Sequence, residues 1–468
     1  MFYLHRKALF CSGAFRLGLK LSVHPIERRY GSEEMRRIFE LESRFQQMLD
    51  VEAALAKGLA KAGMIPLKDA QAISRSANMK RIKIKRILEI ESEVHHETMA
   101  IVLALSEASG RAGRYVHFGV TSNDILDTAA ALQLRDGLKI VEKDIKKLLG
   151  VLLTLAKKNK NTLMAGRTHS QHAIPTTLGM KFAVWAAEIG RHLERLEQIK
   201  PRIIVGKMSG AVGTGAAWGE RGLKVQELVM KELGLPAAMA SNQILQRDRL
   251  AELFSFFGLL AGTLEKMARE VRNLQRTEIG ELAEPFAEEQ VGSSTMPHKR
   301  NPIRCEKICG LARVVRADAG AALENVVLEH ERDLTNSACE RVILPESFLL
   351  IDEMLKTSVK VFDGLRVFPE QMRRNLELTR GLNMAEAVMI ELTKAGVNRQ
   401  EAHAIMRTCS TAAIQKKIPL LQAMLSNQRV TRLLPKEKLT KLLDPEKYLG
   451  SAAAIVDRVV KELSPLAR

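Results

Sequence analysis

The feature that most constrains this chain is a recurrence of apolar side chains at alternating steps of four and three. Leu134, Leu138, Val141, Ile145, Leu148, Leu152 and Leu155 form one series. Leu253, Phe257, Leu260, Leu264, Met267, Val271 and Leu274 form a second, and Leu178, Phe182, Trp185, Ile189, Leu193 and Leu196 a third. A mean step of about 3.5 residues puts each series on one face of a long helix, and such helices bury their seams by packing lengthwise at a shallow angle. Ahead of the first seam, Thr121-Ser122-Asn123-Asp124 reads as a capping box in which Asp124 returns to the cap. No stretch with the two-residue period of a strand competes with these seams. The chain is therefore predicted to be all-α, with a long-helix bundle as its central domain and smaller helical domains on either side.

Composition narrows the class further. A hydrophobic fraction of 46% excludes a disordered chain, and 4% aromatic residues argue against a β-sandwich or barrel. No apolar run approaches the ~20 residues of a membrane span, so no membrane partner is expected. Punctuation divides the chain into a basic extension over 1–24, an N-terminal helical domain over 25–121, the bundle over 122–367 and a C-terminal helical domain over 368–468. The last boundary falls at Val367-Phe368-Pro369. The extension carries Arg6, Lys7, Arg16 and Lys20 and no acid, which tolerably matches an organellar transit peptide. The simpler reading is an upstream extension of a protein whose working part begins near Val23.

Lysine and arginine number 72 against 54 acids, a net charge of +18 that suits an anionic partner, either nucleic acid or a small polyanion. The densest basic run, Lys80 to Arg86, has no aromatic neighbour and is followed by Glu89, Glu91, Glu93 and Glu97. It reads as a solvated helix face, and no nucleic-acid partner is expected. Five cysteines make neither a disulfide framework nor a zinc array. Cys305 and Cys309, one helical turn apart, read as small core residues. Free thiols point to a reducing compartment, hence a cytoplasmic location.

Eleven histidines invite a metal, but the spacing fails. His96-Glu97-Thr98-Met99-Ala100 has alanine where a zinc-protease helix needs its second histidine, and His169 and His172 lack a third ligand cluster. No metal and no cofactor is expected. Gly206 to Gly222 is not a phosphate-binding P-loop, because Pro201 stands where the first glycine should be. It reads as a loop whose backbone passes close to something else.

Three polar islands interrupt the helical period without any need of the bundle. They are Gly166 to His172, Tyr115 to Asp124 with His117, Thr121 and Ser122, and Gly292 to Pro302. The pattern Gly292-Ser293-x-x-Met296-x-x-Lys299-x-Asn301 resembles the signature loop of the fumarase/aspartase superfamily. Within that superfamily the chain is most similar to the adenylosuccinate lyase family. The likeness rests on Glu27-Arg28-Arg29-Tyr30, Val116 to Ser122, Gly166 to His172, Gln246-Arg247-Asp248, His330 to Asp333 with Ser337, and Glu340-Arg341.

The resemblance implies a β-elimination that releases fumarate across a C–N bond, from adenylosuccinate and from the succinylated carboxamide ribotide of purine synthesis. It implies Ser293 as base, His169 as general acid and His96 as an assisting histidine. Lys299 and Asn301 would hold the carboxylate on which charge builds. Arg29, Tyr30, Arg332, Ser337 and Arg341 resemble phosphate contacts, for which guanidinium forks are well suited. Thr121, Ser122 and Gln243 resemble contacts to the succinyl part, with His95, Glu97 and Ser294 among the further substrate contacts. A small-molecule nucleotide substrate, a homotetramer and active sites shared by three subunits are implied as well. Two positions depart from the family pattern. Glu97 stands where aspartate is common after His96, and Ser170 replaces the glycine usual after His169. Sister enzymes, 3-carboxy-muconate cycloisomerase and argininosuccinate lyase, carry similar loops and are the nearest alternatives.

Overall fold

The computed structural model describes residues 24–467 apart from 25, 27, 287–294 and 297. Glu27, the extension before His24, and Gly292, Ser293, Ser294 and Pro297 of the signature loop lie outside the described residues. In chain order the α-helices are α1 (Glu33–Phe39), α2 (Leu41–Lys61), α3 (Leu67–Ser76), α4 (Ile84–Val94), α5 (Glu97–Ser109) and α6 (Ser122–Lys158). Then come α7 (Leu178–Ile203), α8 (Gly222–Leu233), α9 (Asp248–Leu274), α10 (Ile303–Glu324) and α11 (Thr335–Asp363). Seven shorter helices follow, α12 (Pro369–Glu377) to α18 (Ala452–Leu463). The all-α expectation holds. At ~1.5 Å rise per residue, the 37-residue α6 extends about 55 Å, far beyond a globular average.

Two compact units divide the chain. The first takes the described part of Met1–Gly137 with Ile204–Asp248 and Ala321–Glu353. Its core gathers Phe45, Met48, Leu49, Leu55 and Leu59 of α2 with Ile73, Leu105, Trp218, Val225 and Val229. The glycine-rich insert sits here, and its close approach is real. A Cβ on Gly206 would lie 2.4 Å from the sulfur of Met230, and one on Gly213 (φ +88°) would lie 1.9 Å from the Ser241 carbonyl oxygen.

The second unit takes Leu138–Ile203, Arg249–Gly320 and the described part of Met354–Arg468. Every named position of the α7 and α9 seams is buried, as are Leu138, Val141, Ile145, Leu148 and Leu152 of α6. Side chains at this spacing leave water together, which is why the period alone located the helices. A separate apolar cluster joins Val388, Leu392, Ile405, Met406, Leu420, Met424, Val430, Leu434 and Leu439 near the C-terminus. Cys305 and Cys309 are both buried.

One element departs from the sequence reading. Residues 163–177 form an antiparallel hairpin of β1 (Leu163–Thr168) and β2 (Gln171–Thr177). Its two-residue turn is His169-Ser170, with φ of +51° and +63°. Two successive left-handed residues are what a tight hairpin requires, and Asn-Gly is the usual signal for them. His-Ser gives no such signal, and the register shift between Ala165 and Arg167 blurs the alternation of β1.

Candidate active site

Each unit holds part of the predicted constellation. In the first, a cavity of about 230 Å³ is lined by Arg332, Ser337 and Arg341 together with Arg44, Arg247, Asn123 and Asp127 among others. Three of the five predicted phosphate contacts thus share one hollow at the start of α11. Pro345, inside that helix, has no amide hydrogen to offer the carbonyl of Arg341 one turn earlier. Arg29 and Tyr30 are not in the lining. Their neighbours Gly31 and Ser32 donate backbone N–H groups to Glu353 (3.2 Å) and Asp352 (2.5 Å) much farther along α11.

Carboxylates hold the cavity's cations in place. Arg247 is buried and donates to both Asp127 oxygens (3.2 and 3.0 Å) and to Glu340 (2.8 Å). Burial opposes its charge, but the two carboxylates more than offset this and raise its pKa. Arg332 donates to the side-chain oxygen of Gln243 (2.9 Å), while its Nε is buried with no hydrogen-bond partner among the described residues. Desolvation pushes the Arg332 pKa down. An orphaned guanidinium N–H in a polar hollow is costly, and an anion would satisfy it.

Gln243 is occupied at both ends, since its amide nitrogen donates to the Ala211 carbonyl (3.1 Å). Its own carbonyl accepts from Lys207 (2.9 Å). Lys207 is fully buried, and its Nζ lies 2.6 Å from Asp124, which is equally buried. Asp124 also accepts from the backbone N–H groups of Thr121 (2.8 Å), Ser209 (2.8 Å) and Gly210 (3.0 Å). The return bond of the capping box is therefore present, and one carboxylate ties the Thr121-Ser122 turn to the glycine-rich insert. Close by in sequence, His117 takes φ +61°, and its N–H and Nδ1 both meet the buried Glu52 (3.0 and 2.6 Å). Burial works against the imidazolium, yet the Glu52 contacts prevail and raise the His117 pKa.

His95 closes α4 in a left-handed conformation (φ +53°), and His96 caps α5. The His96 Nδ1 accepts from the Met99 N–H (3.3 Å). With Nδ1 spent as an acceptor, a neutral ring carries its hydrogen on Nε2. Glu97 is not free: Arg44 forks it with two 2.8 Å bonds, and Arg341 approaches it at 3.2 Å.

In the second unit His169 stands exposed at the hairpin tip. The hairpin beneath it is pinned by Arg167, whose guanidinium forks the fully buried Glu281 (3.0 and 2.5 Å). Asn375 donates to the same carboxylate (2.8 Å). Of the signature loop, Lys299 is exposed, with its N–H bonded to the Met296 carbonyl (3.0 Å). Asn301 precedes α10, whose first amides, those of Arg304 and Cys305, bond to the buried Glu284 (3.1 and 3.0 Å).

Comparison with known proteins settles the family. Residues 28–317 match the family described as Lyase, and residues 381–459 match the one described as Adenylosuccinate lyase C-terminus. The adenylosuccinate lyase of Pyrococcus abyssi is 55% identical over 96% of this chain and 99% of its own length. The chain belongs to the adenylosuccinate lyase family. It is thus a carbon–nitrogen lyase of the fumarase/aspartase superfamily. Solved structures agree on the fold. The fumarate lyase of Mesorhizobium sp. BNC1 matches with a TM-score of 0.86 at 36% identity, over 94% of this chain and all of that one. The 3-carboxy-cis,cis-muconate lactonizing enzyme of Pseudomonas putida matches with a TM-score of 0.85 at 36% identity, over 94% and 98%.

Sequence reasoning missed Arg44 and Lys207, which hold Glu97 and the Gln243 backbone, and Asp127 and Glu281, which hold Arg247 of the cavity and Arg167 of the hairpin. Asp127 carried a faint signal, being a second acid one turn into a helix otherwise apolar on that face. The others make partnerships across many residues, and these leave no local pattern.

Proposed function

We propose that this lyase releases fumarate from adenylosuccinate, giving AMP, and from the succinylated aminoimidazole carboxamide ribotide, giving the free carboxamide ribotide. The observation that carries this reading is the cavity of Arg332, Ser337 and Arg341, with the unpartnered Nε of Arg332 in a buried polar setting. A nucleotide phosphate supplies the acceptors that such a hollow lacks.

The elimination needs three things: a proton removed from the carbon beside a carboxylate, a place for the resulting charge, and a proton for the departing nitrogen. Ser293 is the base in this scheme and His169 the acid. As the C–N bond breaks, the electron pair left by the proton forms the new C=C bond, and fumarate and the free amine separate. Lys299 and Asn301 hold the carboxylate on which charge accumulates, which is where fixed cations and donors lower the barrier most. His96, exposed at the start of α5, orients substrate and acid. Arg29, Tyr30, Thr121, Ser122, His95 and Ser294 complete the substrate contacts. Glu97 and Gln243 serve the site through the arginines they hold.

His96, His169 and Lys299 are exposed on separate elements, which supports assembly of the site from several copies of the chain, as a homotetramer with three subunits contributing to each site. The chain is further read as a cytoplasmic enzyme of four segments: 1–24, 25–121, 122–367 and 368–468. Among the described residues no helix is long and apolar enough to cross a membrane. The test is fumarate release, followed separately on adenylosuccinate and on the succinylated carboxamide ribotide. Turnover of both supports the reading; turnover only of 3-carboxy-muconate or argininosuccinate overturns it.

A further inference from the structure

Four arginines line the cavity: Arg44, Arg247, Arg332 and Arg341. Arg247 is consumed by Asp127 and Glu340, and Arg332 is steered by Gln243. Arg44 and Arg341 instead share one carboxylate, Glu97, and share it unequally. Arg44 takes both oxygens in a fork, with NH1 on Oε1 and NH2 on Oε2, each at 2.8 Å. Arg341 has a single, longer approach of 3.2 Å to Oε2, an oxygen already engaged. The exposures follow the same order: the Glu97 side chain is 10% exposed, Arg44 27% and Arg341 53%.

A carboxylate forked by one guanidinium has little left for a second. We propose that Arg44 is a positioning residue that occupies Glu97 and so keeps Arg341 available to an anionic ligand in the cavity. Without Arg44, both oxygens of Glu97 turn to Arg341. The nearest strong acceptor then competes with the incoming phosphate for the same five donors. The geometry favours this competition, because α5 begins at Glu97 directly after the His96 cap and holds the carboxylate in place. The Arg341 side chain is more than half exposed, so the guanidinium has room to move between partners.

The inference rests on the nucleotide-lyase reading for its ligand, and the experiment separates the two. Steady-state fumarate release from adenylosuccinate is measured for the full chain, with calorimetric titration of inorganic phosphate alongside. In Arg44→Gln the KM rises about tenfold, the equivalent of one lost charge-assisted contact, while kcat stays within about twofold. Arg44→Lys keeps the charge but not the fork, so its KM remains raised about threefold to fivefold. Arg44→Gln/Glu97→Gln removes the competitor and returns KM to within about threefold of the parent, a rescue that loss of positive charge alone cannot give. The phosphate Kd follows the same order. A KM and phosphate Kd unchanged in Arg44→Gln, full recovery in Arg44→Lys, or a double variant as weak as the single one each overturns the proposal. If Arg44→Gln does not fold, the Arg44→Lys arm decides. A parent that binds phosphate but releases no fumarate refutes the substrate reading and leaves the phosphate arm to judge Arg44.

Discussion

The arginine cavity and the His169 hairpin solve opposite problems. In the cavity, charge is set in advance. Arg247, Asp127 and Glu340 are locked together, Lys207 and Asp124 are sealed from water, and only selected donors are left unspent. At the hairpin, the His169 imidazole stands exposed on a turn of two left-handed residues, and the anchoring is one layer down, where Arg167 meets Glu281 and Asn375. Ground-state binding rewards the first arrangement, since fixed dipoles need no rearrangement when the anion arrives. A group that must meet a second surface is better served by the second. Rigidity belongs to the cavity proposed for binding and reach to the hairpin proposed for the chemistry.

The largest effect that tests this contrast is on stability. Lys207→Met leaves Asp124 buried without its counter-charge and is expected to cost about 3–5 kcal/mol in denaturant unfolding. A loss below about 1 kcal/mol would show that the cavity side is not rigidly preset. Next comes activity. His169→Ala and Ser293→Ala are each expected to cut kcat by at least about 10²-fold, with His169→Ala leaving the melting temperature nearly unchanged because that side chain is exposed. Near-normal turnover in either variant removes that residue from the scheme.

Smaller, and opposite in sign, is Ser170→Gly. Releasing a side chain from φ +63° gains more than glycine loses through its freer unfolded chain, so the variant is expected to be about 1 kcal/mol more stable. A destabilised variant would mean that the Ser170 side chain is needed at the turn. Smaller still is a pH effect at His117. Its folded pKa is raised, so the Glu52 pair contributes fully below the ordinary histidine pKa near 6.5 and fades as pH rises through the raised value. The melting temperature of Glu52→Gln, measured from pH 5 to 8, should approach that of the parent toward the alkaline end. Parallel curves would leave the pair without a titrating role.

What could be read from the sequence follows from the range of each interaction. The seams of α6, α7 and α9 were legible because burial repeats every three or four residues. Asp124 was legible as a cap because its bond to Thr121 spans three residues. Its charged partner, Lys207, lies 83 positions away and left no trace. The hairpin escaped because its turn uses His-Ser in place of glycine or asparagine. Ser293, Lys299 and Asn301 came from the resemblance of the signature loop. Glu97 and Gln243 were read as substrate contacts, and the fold shows each already occupied by an arginine of the cavity.

Pro345 carries a consequence for engineering. A helix missing one rung is most compliant there, and Pro345→Ala would restore the rung directly beneath Arg341. Such a variant would melt at a higher temperature while losing adaptability toward ligands of different bulk, a trade between robustness and breadth set by one pyrrolidine ring.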